Sequence, residues 1–288
     1  MRIKVSPLDS ELLKQSSGFF TLIIGIGSAV LTFLDLNAVF RLRIFGGIVV
    51  LVSLVYISKY VLANIMSKLT LTTGNSTIEI REGNIFDAQY FSNTDFIKVF
   101  SFNEYFDTQV DNEIISKQSL NGQVLNRLGE VNSHVPLDKR MVDNKHLQRM
   151  QLSRNTERRN GKQLKYRLGT IFKYSDDIFF TALTHFDENN RAELTIQDYV
   201  RFLVNFWDEI DEFYAGRTVI VTLFGSGITR LEKDMYTNQQ ILQIILWTFN
   251  LRRIKFKKPA KFLILLDQTT NREINYFQVR RDFNGLQK

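Results

Sequence analysis

Two charge-poor runs near the amino terminus constrain this chain more than any other feature. Residues 18–34 read GFFTLIIGIGSAVLTFL with no charge, and residues 44–66 read IFGGIVVLVSLVYISKYVLANIM with one, Lys59. A helix crossing a hydrocarbon core of ~30 Å needs about 20 apolar residues. The first run reaches that length if Asp35 lies at the interface and Leu36 follows. The second reaches it if Lys59 snorkels or sits near an end. Gly25, Gly27, Ser28, Ala29, Gly46 and Gly47 permit close helix–helix approach in lipid. Joined by the short link from Asp35 to Arg43, the runs predict a transmembrane hairpin over residues 1–68, with helices at about 18–36 and 44–66. The alternative, a buried hairpin of a soluble fold, must hide two such runs side by side. A cleaved signal peptide lacks its small-residue cleavage site before polar sequence. A hairpin puts both ends on one side of the bilayer. Arg2, Lys4, Lys14 and Lys68 favour the cytoplasmic side for them, and Arg41 and Arg43 in the link oppose it.

Beyond residue 69 the pattern changes. SKLTLTTG and STIEIREGNIFD read as strands about a turn at Gly74-Asn75, and DFIKVFSFNEYFD carries a strand at 96–102. Apolar residues fall at 114, 115, 120, 124, 125 and 128, the later ones at helical spacing, and DIFFTALTHF (177–186) has the composition of a buried strand. LTIQDYVRFLVNFWDEIDEFYAG (194–216) is the clearest helix, with Thr195 as N-cap, Asp198 three residues on, and Gly216 as its stop. The strand TVIVTLF, the loop GSGITR, a helix around YTNQQILQIILWTFNL and a closing strand KFLILLD complete the chain. Alternating strands and helices argue an α/β body with a mixed sheet. Ligands in such sheets sit at the carboxyl ends of strands, where the loops after Phe102, His185 and Phe224 fall.

Composition removes several classes of chemistry. The 288 residues include no cysteine, which excludes disulfides, thiolate zinc sites and cysteine nucleophiles. His134, His146 and His185 are scattered without metal-ligand spacing. The net charge of +7 suits nucleic acid, an anionic membrane face or a phosphorylated ligand alike. Residues 137–167 hold ten basic and three acidic residues with little apolar periodicity, and are expected to form a solvated or mobile basic insertion. RRIKFKK at 252–258 is a second basic run. Neither carries the aromatic platforms of a nucleic-acid site, so no nucleic-acid partner is expected.

The chemistry-bearing loops are short. Gly225-Ser226-Gly227-Ile228-Thr229-Arg230 follows a strand and can offer backbone N–H groups, two hydroxyls and a cation to an anion. It lacks a Walker lysine and the third glycine of a dinucleotide fingerprint. REGNIFD (81–87) ends a strand with Gly-Asn-Ile, and THFDENNRA (184–192) ends another with His185 and Phe186. Asp187 and Glu188 pair as acids or stand solvated, and no serine–histidine–acid arrangement is legible.

Taken in order, these segments resemble a macro domain over roughly residues 70–280: Gly-Asn-Ile after a strand, Asn103 after the next, THF, a long helix, then VIVTLFGSGITRL. The resemblance places Asn84 where that family has its adenine-contacting aspartate. It matches Asn103 to the family asparagine, and Gly225-Ser226-Gly227-Ile228 to its second phosphate loop. It implies a macro-domain-like mixed sheet flanked by helices, spanning 69–288. The phrases FNEYFDT, IISKQSLNGQ, LGTIF, LTHFDENN and LFGSGITRL further resemble a bacterial subgroup, the membrane effectors of type II Thoeris antiphage systems. There a partner TIR-domain enzyme makes an ADP-ribose-derived signal, histidine–ADP-ribose, that the macro domain senses.

The resemblance implies a two-pass protein of the bacterial inner membrane with a cytoplasmic macro-like domain. Its partners would be the lipid bilayer, the nucleotide signal and further copies of itself, and it would need no cofactor. Signal binding would trigger membrane disruption and abortive infection. Gly225 to Arg230 would hold phosphate and Asn84 and Ile85 would read adenine. Asn103 with Ser119, Gly122 and Gln123 would read the ribose and distal group, beside His185 and Phe186. The segment from Ile115 to Gln123 replaces the glycine-rich loop where hydrolytic members position water, which favours a sensor over an enzyme. A membrane-tethered ADP-ribosyl hydrolase is the alternative, to be distinguished by product release. A basic adaptor for nucleic acid is the third reading, to be distinguished by salt-dependent binding.

Overall fold

The computed structural model describes residues 3–33, 37–131, 135–187, 189–226, 231, 235–252, 256 and 258–286. The chain divides into two compact units, residues 1–67 with 275–282, and residues 68–274 with 283–288.

In the N-terminal unit, α1 (Ser10–Phe33) and α2 (Ala38–Ile65) are both long and apolar enough to cross a membrane. Each starts before its apolar run. Asp9 Oδ1 accepts from the amides of Glu11 and Leu12, and Asn37 Oδ1 accepts from Phe40, so the helices begin where a side chain satisfies the free N–H groups. Arg41 and Arg43 therefore lie inside α2, not in the link. Asp35, Leu36 and Arg2 lie outside the described residues. The helices touch closely at Gly27, where an added Cβ would lie 2.2 Å from the Ile48 side chain. Lys59 Nζ donates to the Gln15 carbonyl at 3.0 Å, the reach of a snorkelling lysine. Leu22, Ile26, Leu54 and Leu62 are each more than half exposed. Buried Asn64 accepts from the amides of Lys4 (2.7 Å) and Val5 (3.0 Å) and donates to the Tyr60 carbonyl, fastening the first residues to the end of α2.

The second unit is built in chain order from β1 (Lys68–Thr73), β2 (Ser76–Glu82), α3 (Ala88–Phe91), β3 (Phe96–Asn103), α4 (Leu120–Arg127), α5 (Val135–Val142), α6 (Lys145–Met150), β4 (Gln151–Arg154) and β5 (Leu164–Tyr166). It continues with β6 (Ile171–Lys173), β7 (Ile178–Phe186), β8 (Ala192–Glu193), α7 (Ile196–Phe213), β9 (Thr218–Thr222), α8 (Asn238–Arg252), β10 (Lys261–Leu266), α9 (Gln268–Glu273) and α10 (Tyr276–Gly285), whose first residues belong to the N-terminal unit. The main sheet runs β1-β2-β10-β9-β3-β7-β6, with β8 paired to β7. Strands β2, β10, β9, β3 and β7 are mutually parallel, and the outer pairs β1–β2 and β6–β7 are antiparallel. The expected mixed sheet is present. Its interior strands read VIV, FLILL and FFTAL because both faces are covered.

The N-cap of α7 is Thr195, which accepts from Asp198 N as expected. Tyr199, Phe202, Phe206 and Ile210 follow at helical spacing and are fully buried. The helix stops earlier than predicted: Ala215 takes the left-handed conformation (φ 55°) before Gly216 does (φ 82°). The helical spacing of the later apolar residues between 114 and 128 is met by α4 from Leu120, while Ile114 and Ile115 are pinned in the core by a loop. Two further expectations are corrected. Strand β10 does not close the chain, since two helices follow it. The basic stretch 137–167 is folded: α5, α6 and the β4–β5 hairpin bury Leu137, Met141, Leu147 and Tyr166 at no more than 5% exposure. Its apolar residues are too widely spaced for a periodic signal, yet they complete the core beside Phe106.

Candidate functional site

Parallel strands β3, β7 and β9 all end at one edge of the sheet, and a cleft of about 520 Å³ opens there. Its walls are Ser101 to Asn103 of β3, Leu183, Thr184 and Phe186 of β7, Asn190 to Ala192 of the β7–β8 turn, and Ser226 after β9. The fourth side is the loop from Asn112 to Ser116 with Gln118 to Asn121. A volume of this size, lined by polar side chains between apolar ones such as Phe102, Ile114, Leu183 and Phe186, suits a small polar ligand.

Each polar wall residue is fixed by local chemistry. Asn103 Oδ1 accepts from the amides of Tyr105 (3.0 Å) and Asp107 (3.3 Å), and its Nδ2 donates to Asp107 (2.9 Å), turning the chain sharply after β3. Ser119 caps α4 by accepting from Gly122 N at 3.2 Å. Asp187 Oδ1 accepts from the amides of Asn189 (2.8 Å) and Arg191 (2.7 Å), so this carboxylate builds the β7–β8 turn. Glu188 lies outside the described residues. Gly225 sits at φ 83°, and a Cβ there would lie 3.3 Å from the Tyr199 ring. Tyr199 in turn donates to the Phe224 carbonyl at 2.7 Å. The amide and hydroxyl of Ser226 both donate to the Leu223 carbonyl (3.2 and 2.6 Å).

The predicted site residues are thus partly brought together. Asn103, Ser119, Phe186 and Ser226 line the cleft. Gly227, Ile228, Thr229 and Arg230 lie outside the described residues. Asn84 is exposed and accepts from Phe86 N (3.0 Å), forming a turn after β2, and Ile85 is a core residue at 2% exposure. Gly122 and Gln123 face a neighbouring hollow of about 580 Å³ with Lys117 and Arg127. Their task is to fold the loop: a Cβ at 122 would lie 2.2 Å from Ser116 O, and Gln123 Nε2 donates to Gln118 O at 2.8 Å. His185 points away from the cleft wall toward Glu104, whose Oε2 lies 2.7 Å from Nδ1. Burial pushes the Glu104 pKa up, but His185 and Lys165 outweigh it and hold it below the ordinary range. The Glu104 hydrogen bond pushes His185 up against its burial.

Sequence reading missed Asn112, Asn190 and Arg191. All sit in polar loops, and only the left-handed backbone of Asn112 (φ 69°) and Asn190 (φ 59°) marks two of them. Among the described lining residues the acid is Glu113 and no histidine is present. No cluster of metal-ligating residues occurs among the described residues.

A mixed sheet of this order, with its cleft at the carboxyl ends of the central parallel strands, defines a macro domain preceded by two long apolar helices. Sequence comparison places it more narrowly. The family model "Thoeris protein ThsA, Macro domain" matches residues 78–267. Thoeris protein ThsA of Bacillus amyloliquefaciens (strain Y2) is 37% identical over 262 residues, covering 90% of this chain and 86% of that protein. The chain belongs to the Thoeris ThsA family. Two macrodomain structures from Oceanobacillus iheyensis align with TM-scores of 0.47 and 0.45 at 11% identity, over 76% of this chain and 94 and 95% of theirs. The assignment rests on the sequence matches and not on these looser likenesses.

Proposed function

We propose that this protein is a membrane-anchored effector of Thoeris antiphage defence. Its cleft binds an ADP-ribose-derived signal made by a TIR-domain enzyme, histidine–ADP-ribose in the first instance. Binding triggers disruption of the bilayer, and several copies act together because two helices cannot enclose a pore. The observation that carries this reading is the cleft at the ends of β3, β7 and β9 in a macro domain of the ThsA family. A wall with Glu113 as its described acid and no described histidine favours recognition over acid–base turnover. The exposed apolar faces of α1 and α2 favour a bilayer as their surroundings. Signal binding must discriminate between two arrangements by about 5 kcal/mol to move the population from mostly closed to mostly open.

The test is calorimetry on the full-length chain in nanodiscs with ADP-ribose and histidine–ADP-ribose. The wild-type chain is expected to bind. Ser226→Tyr, which fills the cleft, is expected to weaken binding by about 100-fold, while loss of the hydroxyl's bond to the Leu223 carbonyl lowers Tm by about 2–4 °C at most. Gly225→Trp is a poorer probe, because it forces a side chain onto a left-handed backbone beside Tyr199. Absence of binding to either nucleotide in the wild type overturns the reading. Steady release of free ADP-ribose from the conjugate replaces it with the hydrolase.

A further inference from the structure

Arg158 belongs to the basic stretch, yet its side chain is 3% exposed and its partner Asp107 is 1% exposed. All five guanidinium N–H donors are used. Nη1 and Nη2 grip Asp107 Oδ1 (3.1 Å) and Oδ2 (2.7 Å) side by side. Nη1 also donates to the Lys162 carbonyl (2.6 Å), while Nε and Nη2 both donate to Asn190 Oδ1 (3.1 and 2.6 Å). The plane stacks 4.0 Å from the Tyr105 ring centroid. Close packing forces a glycine alongside: a Cβ at Gly161, itself at φ 91°, would lie 2.8 Å from both Arg158 and Asp107.

The consequence lies in the amides. A guanidinium has no acceptor, so the atom of Asn190 that faces it must be the oxygen, and the –NH2 is left for the cleft. Asn103 is fixed in the same sense. Its oxygen takes two backbone amides and one N–H goes to Asp107, which leaves a second N–H. Asp107 joins the two, because its Oδ2 accepts from both Arg158 and Asn103. We propose that Arg158 is a specificity-determining positioning residue. By orienting Asn190 directly, and Asn103 through Asp107, it makes the two amides of this wall of the cleft offer only N–H donors. The wall then selects ligands that present acceptor oxygens, the sugar hydroxyls or phosphates of a nucleotide. This rests on the proposed nucleotide-binding function and deepens it.

Asn190→Asp tests it in the full-length chain in nanodiscs. Asp tolerates the left-handed backbone and keeps one oxygen on Arg158, so the fold is retained, but the group facing the cleft changes from donor to anion. ADP-ribose affinity is expected to fall at least about tenfold while Tm holds or rises. The same loss with ADP assigns the contact to the diphosphate or proximal ribose that both ligands share, and a loss confined to ADP-ribose assigns it to the distal sugar. Arg158→Lys keeps a charge for Asp107 but not the fork to Asn190, and is expected to weaken binding as well. Wild-type binding that Asn190→Asp leaves within about twofold overturns this inference alone. Failure of the wild-type chain to bind ADP-ribose or ADP overturns the proposed function and this inference with it.

Discussion

At the scale of single residues, Glu104 and His185 show how a side chain near the cleft serves the fold instead. Glu104 is 1% exposed and would be costly alone, but it faces His185 at 2.7 Å and Lys165 at 3.0 Å. His185 is raised above its ordinary 6.5, so its contribution is complete below that value and is lost as pH rises through the folded value. Glu104 is lowered below its ordinary 4.5, so its contribution is present above that value and is lost as pH falls through the folded value. The pair therefore stabilises most between those two ordinary values. Tm of the wild-type chain is expected to decline as pH rises above the ordinary histidine value of 6.5, and His185→Gln to remove that part of the decline. A wild-type profile no steeper than the variant's would exclude the pairing. Sequence could list His185 and Asn103 as strand-end residues but could not tell their tasks apart. Which way each faces depends on the pleat and on the register shift at which Phe102 and Asn103 of β3 face Ala182 and Thr184, leaving Leu183 of β7 as the extra residue.

At the scale of elements, the long helix α7 was legible from its cap and its apolar stripe, because both are local signals. Its end was not. The sequence offers Gly216 as the obvious stop, whereas the chain turns left-handed one residue earlier, at Ala215. Ala215→Gly removes a steric cost of about 1 kcal/mol, part of which is offset by a looser unfolded chain. A rise in Tm of about 2–4 °C at most is expected from thermal unfolding. A fall would mean that the Ala215 methyl packs more than it strains. The basic stretch 137–167 is the larger lesson. Charge composition suggested solvent, but four well-spaced apolar residues and one buried arginine make it part of the domain. Arg158 is ordered by Asp107, 51 positions away, a partner that no local pattern announces.

For the whole molecule, the deciding question is what surrounds α1 and α2. Val50 and Leu54 are 58% and 56% exposed near the middle of α2. On a water-facing surface, aspartate at both positions would be harmless. At the centre of a bilayer each costs about 3 kcal/mol on insertion. The Val50→Asp, Leu54→Asp chain is therefore expected to leave the membrane fraction after alkaline extraction, where the wild type stays. Equal recovery of both chains in that fraction would argue that this face is not in lipid.

The sequence alone determined that two apolar helices precede an α/β body, where most strands run, and which family the order of loops resembles. Those are properties of composition and short-range periodicity. Only the tertiary structure decided which loops share a cleft, that Asn84 and His185 stand outside it, and that Asn190 joins Asn103 on its wall. The reason is physical. Parallel strands bring together residues far apart in the chain, and the direction of an amide is set by the partner it meets there.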